Sequence, residues 1–524
     1  MAMKCPACGG HLAYSVELNQ LKCPYCTSTF EIEDYNEKNT AIAEKDSETL
    51  SVNRFVCRNC GAELSSTDSP DEQLVQYCAY CGSESVMMGK ADATEIPETI
   101  IPFKITKDRA KEKYAEEVKK MFFVPKEFKN PEFLEEFRGI YIPYWRTKAQ
   151  LKDSTVNLSG IKYSTEGSYD YTRYYDYTIK IDDCQISTGD YDAASALDDT
   201  IARTIAPFHE DEEQPFNDVY LAGFYADKAS APVGNYKETV KKTAVTRIKE
   251  ELKAVTEGAS TDESDVKAKI GFKIASPKTS LFPVWFLTWK KGSRIAYSIM
   301  NGETGKLAAE VPVDYFSLAI KSLAAIAAVF AVLNFMPVFI TPLKMSCIAS
   351  YLLFFSTLLL KSQMKKISLR ENHIFDLGNT EYFEKNKKQR KKKALSGCLI
   401  FIIFLLVCNV LALPASVETP ADVTERFTVM LIFQGVFTCL TLKNVLKIKN
   451  KAALVPLIFG VLCQFAGIAL SDMNRPHDYW FLGITIICNI GMILNLIFSI
   501  YYINYMVTRP VPNYYRRKGA DNGR

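Results

Sequence analysis

Four Cys-x-x-Cys pairs within the first 81 residues constrain this chain more than any other feature. Cys5-Pro6-Ala7-Cys8 is followed after 14 residues by Cys23-Pro24-Tyr25-Cys26, and Cys57-Arg58-Asn59-Cys60 after 17 residues by Cys78-Ala79-Tyr80-Cys81. Such a pair sets two sulfurs on one side of a tight knuckle, and two knuckles complete a tetrahedron around a metal. Gly9, Gly61 and Gly82 directly follow a knuckle cysteine, where the backbone must turn sharply; Thr27 takes that place after Cys26. The expectation is two zinc ribbons, at 1–35 and 53–92, joined by an acidic linker at 36–52. Each would hold one structural zinc ion, on Cys5, Cys8, Cys23 and Cys26 and on Cys57, Cys60, Cys78 and Cys81. Iron in a rubredoxin-like site is the alternative, because tetrahedral thiolate suits both metals. Four protein thiolates leave no open position for water or substrate, so the metal is expected to staple domains too small to fold on their apolar cores.

The remaining cysteines bear on compartment. Of 15 in all, Cys184 and Cys347 stand alone and five fall in apolar runs after residue 397. That layout suits a reducing environment, where thiolates bind metal and do not pair. Met1-Ala2-Met3-Lys4 runs straight into the first knuckle without a secretory signal, which places the head in the cytosol. Charge divides the chain: residues 1–314 carry a net −11 and residues 315–524 a net +14. Residues 1–92 alone hold seven bases and fourteen acids, and each loaded four-thiolate centre adds about two negative charges. Phosphate backbones are bound by basic surfaces, so the charge argues against nucleic acid and favours protein partners.

Residues 93–314 read as an α+β domain with an antiparallel sheet. Thr106–Phe122 is an amphipathic helix with Ala110, Tyr114, Val118 and Met121/Phe122 on one face. A short helix follows, with Asn130 as N-cap, Pro131 in the first turn and Gly139 as its stop. Strands are expected at Ile140–Leu151 and through the tyrosines of 168–182, then a helix near Tyr236–Val255 and strands at Ala268–Ala275, Leu281–Trp289, Arg294–Met300 and Leu307–Pro312. Ile142-Pro143-Tyr144-Trp145 echoes Phe282-Pro283-Val284-Trp285, which suggests an internal duplication.

No catalytic constellation accompanies these elements, so a non-enzymatic protein is expected. His11, His209, His373 and His477 are scattered, and Cys184 has no neighbouring base in sequence. Gly302-x-x-Gly305-Lys306-Leu307 has two residues between its glycines where a phosphate loop needs four, so it reads as a hairpin turn. The acidic runs Asp198-Asp199 and Glu210–Glu213 read as solvated loops.

Residues 1–314 resemble a family of uncharacterised bacterial proteins described as carrying zinc ribbons of the transcription factor IIB type. The four knuckles carry the resemblance, with Ile101-Pro102-Phe103, Val124-Pro125-Lys126 and Phe128, Gly139-x-Tyr141-x-Pro143-x-Trp145, Phe282-Pro283-x-Trp285 and Asn301-Gly302-x-Thr304-Gly305-Lys306. Such proteins are sometimes labelled primosomal replication-restart helicases. This chain lacks the nucleotide-binding loop that label requires, and the resemblance implies no catalytic residues.

Six apolar stretches follow, at Phe316–Val338, Met345–Leu360, Ala394–Leu413, Phe427–Leu442, Ala452–Leu470 and Trp480–Val507. They predict an α-helical membrane domain of six spans at 315–508 and a cytosolic tail at 509–524. With the head inside, the inward loops and tail carry 20 bases and the outward loops 3, so a multi-pass cell-membrane protein with both termini cytosolic is expected. Lys385–Lys393 fixes that topology and offers a site for anionic lipid. The spans hold amides such as Asn495 but no carboxylate, which disfavours a coupled transporter. The sequence thus points to a membrane-anchored adaptor with a zinc-ribbon head for protein contact. A small-solute transporter or channel with a regulatory head, and a membrane-tethered nucleic-acid binder, are the alternatives.

Overall fold

The computed structural model describes residues 3–35, 49–66, 78–84, 88–167, 169–256, 260–261, 270–334, 342–371 and 478–514, with single helical positions at 439, 442–443, 446, 458 and 462. The main strands are β1 (Thr49–Val56), β2 (Glu63–Ser66), β3 (Met88–Glu95), β4 (Arg138–Leu151), β5 (Ser154–Glu166), β6 (Tyr169–Ile181), β7 (Cys184–Asp192), β8 (Lys278–Lys291) and β9 (Arg294–Asn301). The longer helices are α1 (Lys107–Lys120), α2 (Asp199–Ile205), α3 (Lys237–Val255), α4 (Tyr315–Asn334), α5 (Pro342–Glu371) and α6 (Asp478–Val507).

β4 and β8 form the antiparallel centre of a large sheet, with Phe282 opposite Ile142 and Pro283 opposite Tyr141. Both strands are buried on both sides, and their alternate residues feed two separate cores. Ile140, Ile142, Tyr144, Phe282, Val284 and Phe286 point into one, with α2 and the cysteines of the second ribbon. Tyr141, Leu281, Trp285 and Leu287 point into the other, with α1 and the first ribbon. The cysteines of the two ribbons therefore lie on opposite faces of one sheet.

The two Pro-x-Trp segments lie side by side at this centre. Neither proline has an N–H to give the ladder, but each carbonyl is used: Ala193 N donates to Pro143 O (3.0 Å) and Gly302 N to Pro283 O (2.8 Å). Each tryptophan donates its indole N–H to a loop carbonyl, Trp145 to Ala231 (2.8 Å) and Trp285 to Ile105 (2.8 Å).

α1 keeps the expected face, with Thr106 capping it and Ala110, Tyr114 and Val118 buried. Phe122, expected on that face, lies beyond the helix end and is exposed. Asn130 caps a single turn, Pro131–Leu134. Gly139 stops no helix; it sits inside β4, where a Cβ would lie 2.3 Å from the Phe224 ring. Close ring approach, and not helix termination, requires that glycine. α3 buries Val240, Ala244, Ile248 and Leu252 as expected.

The six-span membrane domain and the multi-pass membrane location are overturned. Among the described residues one helix carries a stretch, Thr485–Val507 of α6, long and apolar enough to cross a bilayer by length and composition. The body is otherwise a mixed α/β fold rich in strands. Phe316–Val338 is realised as α4 up to Asn334; Ala394–Leu413, Lys385–Lys393 and nearly all of Phe427–Leu442 and Ala452–Leu470 lie outside the described residues. Met345–Leu360 does not end in a loop at Lys361, because α5 runs on through Lys365, Lys366 and Arg370 to Glu371. Its apolar side chains pack on α6: Leu360, Met364 and Ile367 are buried with Tyr502, and Asn495 Nδ2 donates to Thr357 Oγ1 (3.3 Å) between the two helices. An apolar run serves such a helix pair as well as it serves a span.

α6 is tied to the sheet. Arg294 donates to the carbonyls of Tyr505 (3.0 Å) and Thr508 (2.7 Å) and covers the Tyr505 ring, closing the helix C-terminus with a cation. Arg509–Pro510, at the start of the expected tail, then pairs with Arg294–Ile295 of β9. Arg509 is buried between Asp198 and Glu310, each at 2.6 Å.

Candidate metal centres

The structure brings the eight predicted cysteines together as two separate groups of four, with all sulfurs of a group within 4.8 Å of one another. Cys5–Cys26 and Cys8–Cys23 approach to 3.6 and 3.5 Å, and Cys57–Cys81 and Cys60–Cys78 to 3.7 and 3.8 Å. A tetrahedral ion with metal–sulfur bonds of about 2.3 Å has sulfur–sulfur edges of about 3.8 Å. Both sets fit such an ion and can hold one.

One backbone device builds all four knuckles. The residue after the second cysteine donates its N–H back to the first cysteine's carbonyl: Gly9 to Cys5, Thr27 to Cys23, Gly61 to Cys57 and Gly82 to Cys78, at 2.8–2.9 Å. The first cysteine's own N–H then reaches the carbonyl five residues on, as Cys57 does to Ala62 (2.8 Å) and Cys78 to Ser83 (3.0 Å). This closure needs a left-handed residue, and φ is +74° at Gly9, +76° at Gly61 and +59° at Gly82. Thr27 adopts +61° despite its branched side chain, the one knuckle where the turn is strained.

The surroundings of the two centres differ. In the first, three short antiparallel strands (Ala13–Ser15, Gln20–Lys22 and Thr29–Phe30) lean on the body through Tyr14, whose N–H donates to Ala222 O (3.0 Å) and whose ring meets Tyr220. Cys8 is exposed and Cys26 half-buried, and an open groove of ≈ 460 Å³ lined by Lys4, Cys5, Phe30, Glu31 and Tyr35 reaches the centre at Cys5. Ser28, through its hydroxyl and then its backbone, brings the Cys26 thiol down to about 6, toward the thiolate a metal needs.

In the second centre all four cysteines are buried. β1 and β2 join the large sheet through Tyr225–Ala226, which pairs with both β2 and β4. The Cys78–Cys81 knuckle lies against β8 and β9: Thr288 Oγ1 donates to Ala79 O, and Tyr297 Oη donates to Tyr80 O (2.5 Å). Tyr80 is fully buried among Phe286 and Tyr514 and donates its hydroxyl to Asp227 Oδ2 (2.7 Å). Burial pushes Asp227 up from 3.8 to about 6 and the Tyr80 phenol well above its ordinary range, so the shared proton stays on the tyrosine. Tyr514 N donates to Cys60 O (2.6 Å), which brings the C-terminal segment onto the centre. Around the sulfurs, Asn59 Nδ2 donates to Cys81 Sγ (3.4 Å), Ala62 N donates to Cys60 Sγ (3.4 Å) and the Ser83 hydroxyl lies 2.9 Å from Cys81 Sγ. Neighbouring Cys57 pushes the Cys60 thiol up strongly, as expected where four sulfurs crowd together and only a cation relieves the charge of their ionised forms.

Sequence reading missed these supporting groups. Ser28 and Ser83 share a local signal, a serine two residues after the last cysteine of each set. Asp227 and Tyr514 have none. Of the other residues singled out, His11 lies in the first ribbon, bridged to Lys4, Cys184 is exposed at the start of β7, Gly305 N donates to Asn301 O (2.9 Å) in a hairpin turn, and His373 and His477 lie outside the described residues. Glu210, Glu212 and Glu213 are paired with Lys148, Lys104 and Arg146. His209 Nδ1 lies 2.6 Å from Glu303, whose other oxygen accepts from His209 N (3.1 Å).

Comparison with known proteins adds a relative. The chain is 24% identical over 323 residues, 60% of its length and 91% of the relative's, to a Bacillus subtilis (strain 168) protein described as uncharacterized protein YdjG. No family model matches the chain, and no solved structure matches it. The relative's description carries no function to transfer.

Proposed function

We propose that the chain is a non-enzymatic adaptor whose two four-cysteine centres, loaded with zinc, shape an acidic head for protein contact. The observation that carries this reading is the closed donor set. Each centre draws four thiolates from the chain at tetrahedral spacing, so a bound ion keeps no position for water or substrate. Zinc in such a site fixes loops and does no chemistry on a ligand. The net −7 of residues 1–92 favours basic protein surfaces and repels phosphate backbones. The groove beside the first centre, with Phe30, Tyr35 and Glu31, offers aromatic and acidic contacts of the kind protein partners use.

Elemental analysis of the purified chain should give two zinc ions per molecule, and Cys57→Ser should give one. Partners crosslinked in cells to the wild-type chain should be lost from Cys5→Ser or Cys57→Ser chains that still accumulate. Iron in place of zinc would change the metal assignment. Equal partner recovery by the metal-free variants, or steeply salt-dependent oligonucleotide binding by the wild type, would sink the adaptor reading.

A further inference from the structure

The hairpin β5–β6 stands at one side of the body with a long edge exposed. β6 pairs along its whole length with β5, Tyr169 opposite Glu166 through to Ile181 opposite Ser154, and β5 carries Ser260–Thr261 on its far side. Among the described residues no strand covers the other edge of β6. A row of open N–H and C=O groups is a template for another strand, and proteins usually blunt such an edge with unmatched charge or proline. β6 contains no proline, and Tyr169, Tyr171, Tyr174 and Tyr175 are all exposed along it.

The residue order of β6 is in part complementary to its own reverse. In a two-fold antiparallel pair, opposing residues point to the same face, so the symmetry centre falls on a residue and only a few registers are possible. Centring on Arg173 sets arginine against arginine and Asp170 against Asp176, and centring on Asp176 sets aspartate against aspartate. Centring on Tyr175 avoids every like-charge pair. Asp170 then faces Lys180 of the second copy, twice by symmetry; Arg173 faces Tyr177, Tyr171 faces Ile179, Tyr169 faces Ile181, Thr172 faces Thr178, Tyr175 faces itself and Asp176 faces Tyr174. Ion pairs, cation–π contacts, aromatic–aliphatic pairs and threonine pairs are the cross-strand combinations that stabilise a sheet. Centring on Tyr174 leaves Asp170 and Asp176 facing threonines and forms no ion pair.

We propose that β6 is a self-association edge, on which a second copy of this chain adds its own β6 antiparallel in the register centred on Tyr175. The occupant is another copy because this register sets Asp170 against Lys180 and Arg173 against the Tyr177 ring of its own image and places no like charges opposite each other. This inference does not depend on the metal reading.

The purified full-length chain, treated with a carbodiimide that couples carboxylates to amines, should yield an Asp170–Lys180 linked peptide. Within one copy these residues lie ten positions apart on a strand, about 33 Å, so the link forms only between copies. Two differently tagged copies should co-purify, and Lys180→Asp should weaken that association at least tenfold. Asp170→Lys with Lys180→Asp should restore both association and link. A monomeric wild-type chain, association unchanged in Lys180→Asp, or failure of the charge swap to restore it would overturn the proposal. So would a monomer that uses these tyrosines to bind a single-stranded oligonucleotide or a different protein.

Discussion

Replacing Asp227 with asparagine measures what the buried support of the second centre costs. Asp227 is partly buried, but Oδ2 accepts the hydroxyl of fully buried Tyr80 (2.7 Å) and Oδ1 accepts Lys228 N (2.7 Å). Desolvation is the largest influence on the carboxyl and raises it from 3.8 to about 6. A folded-state value above the unfolded one means the native state holds its proton more tightly, so this group's penalty grows as pH rises through that interval and is full above it. The shift corresponds to at most about 3 kcal/mol at neutral pH and about 1.6 kcal/mol at pH 5. Asparagine removes the charge but has one acceptor oxygen for two donors, which returns about 1 kcal/mol. The variant should be more stable than the wild type by about 2 kcal/mol at pH 7.5, a gap that narrows by about 1.4 kcal/mol at pH 5. Urea unfolding of both chains at fixed saturating zinc, followed by tyrosine and tryptophan fluorescence, reads the gap. A variant less stable at pH 7.5, or a gap independent of pH, would refute the reasoning.

Other perturbations test other links. Thr27→Gly should stabilise the first ribbon by about 1 kcal/mol by relieving its left-handed strain, seen as a slower loss of metal from that centre. Against a chelator, metal should leave in two phases, the first centre early because Cys8 is exposed and the second late because its cysteines are all buried. Cys8→Ser should abolish the fast phase alone. Arg509→Ala leaves Asp198 and Glu310 without their buried cation and should cost about 3–5 kcal/mol, read as a lower urea midpoint.

Features set by near neighbours were legible from the residues. The knuckles could be found because each is fixed by a four-residue spacing and the turn that follows it. The faces of α1 and α3 could be found because Ala110-Tyr114-Val118 and Val240-Ala244-Ile248-Leu252 repeat at the helical period. What joins distant parts of the chain left no such trace. Tyr80 and Asp227 are 147 positions apart, and nothing near either names the other. Gly139 looked like a helix stop because glycine serves there as readily as under an aromatic ring. The six apolar runs misled because hydropathy measures avoidance of water and is blind to what replaces it. On one face of α5 and α6 the replacement is the other helix, at Leu360, Met364, Ile367 and Tyr502, while Ile486, Ile490 and Ile497 of α6 stay exposed.

The walls of the second centre come from widely separated stretches of chain: the cysteines at 57–81, the strands at 278–301 and Tyr514 near the C-terminus. On a ribosome these stretches appear in that order. The sulfurs are complete hundreds of residues before the side chains that seal them from solvent. An ion bound during synthesis would meet an open site, and later folding would close over it. A chain starved of metal during its synthesis and supplied with it afterwards would have to reopen to be filled. Metal content at this site would then record conditions at the time of manufacture and not those of the moment.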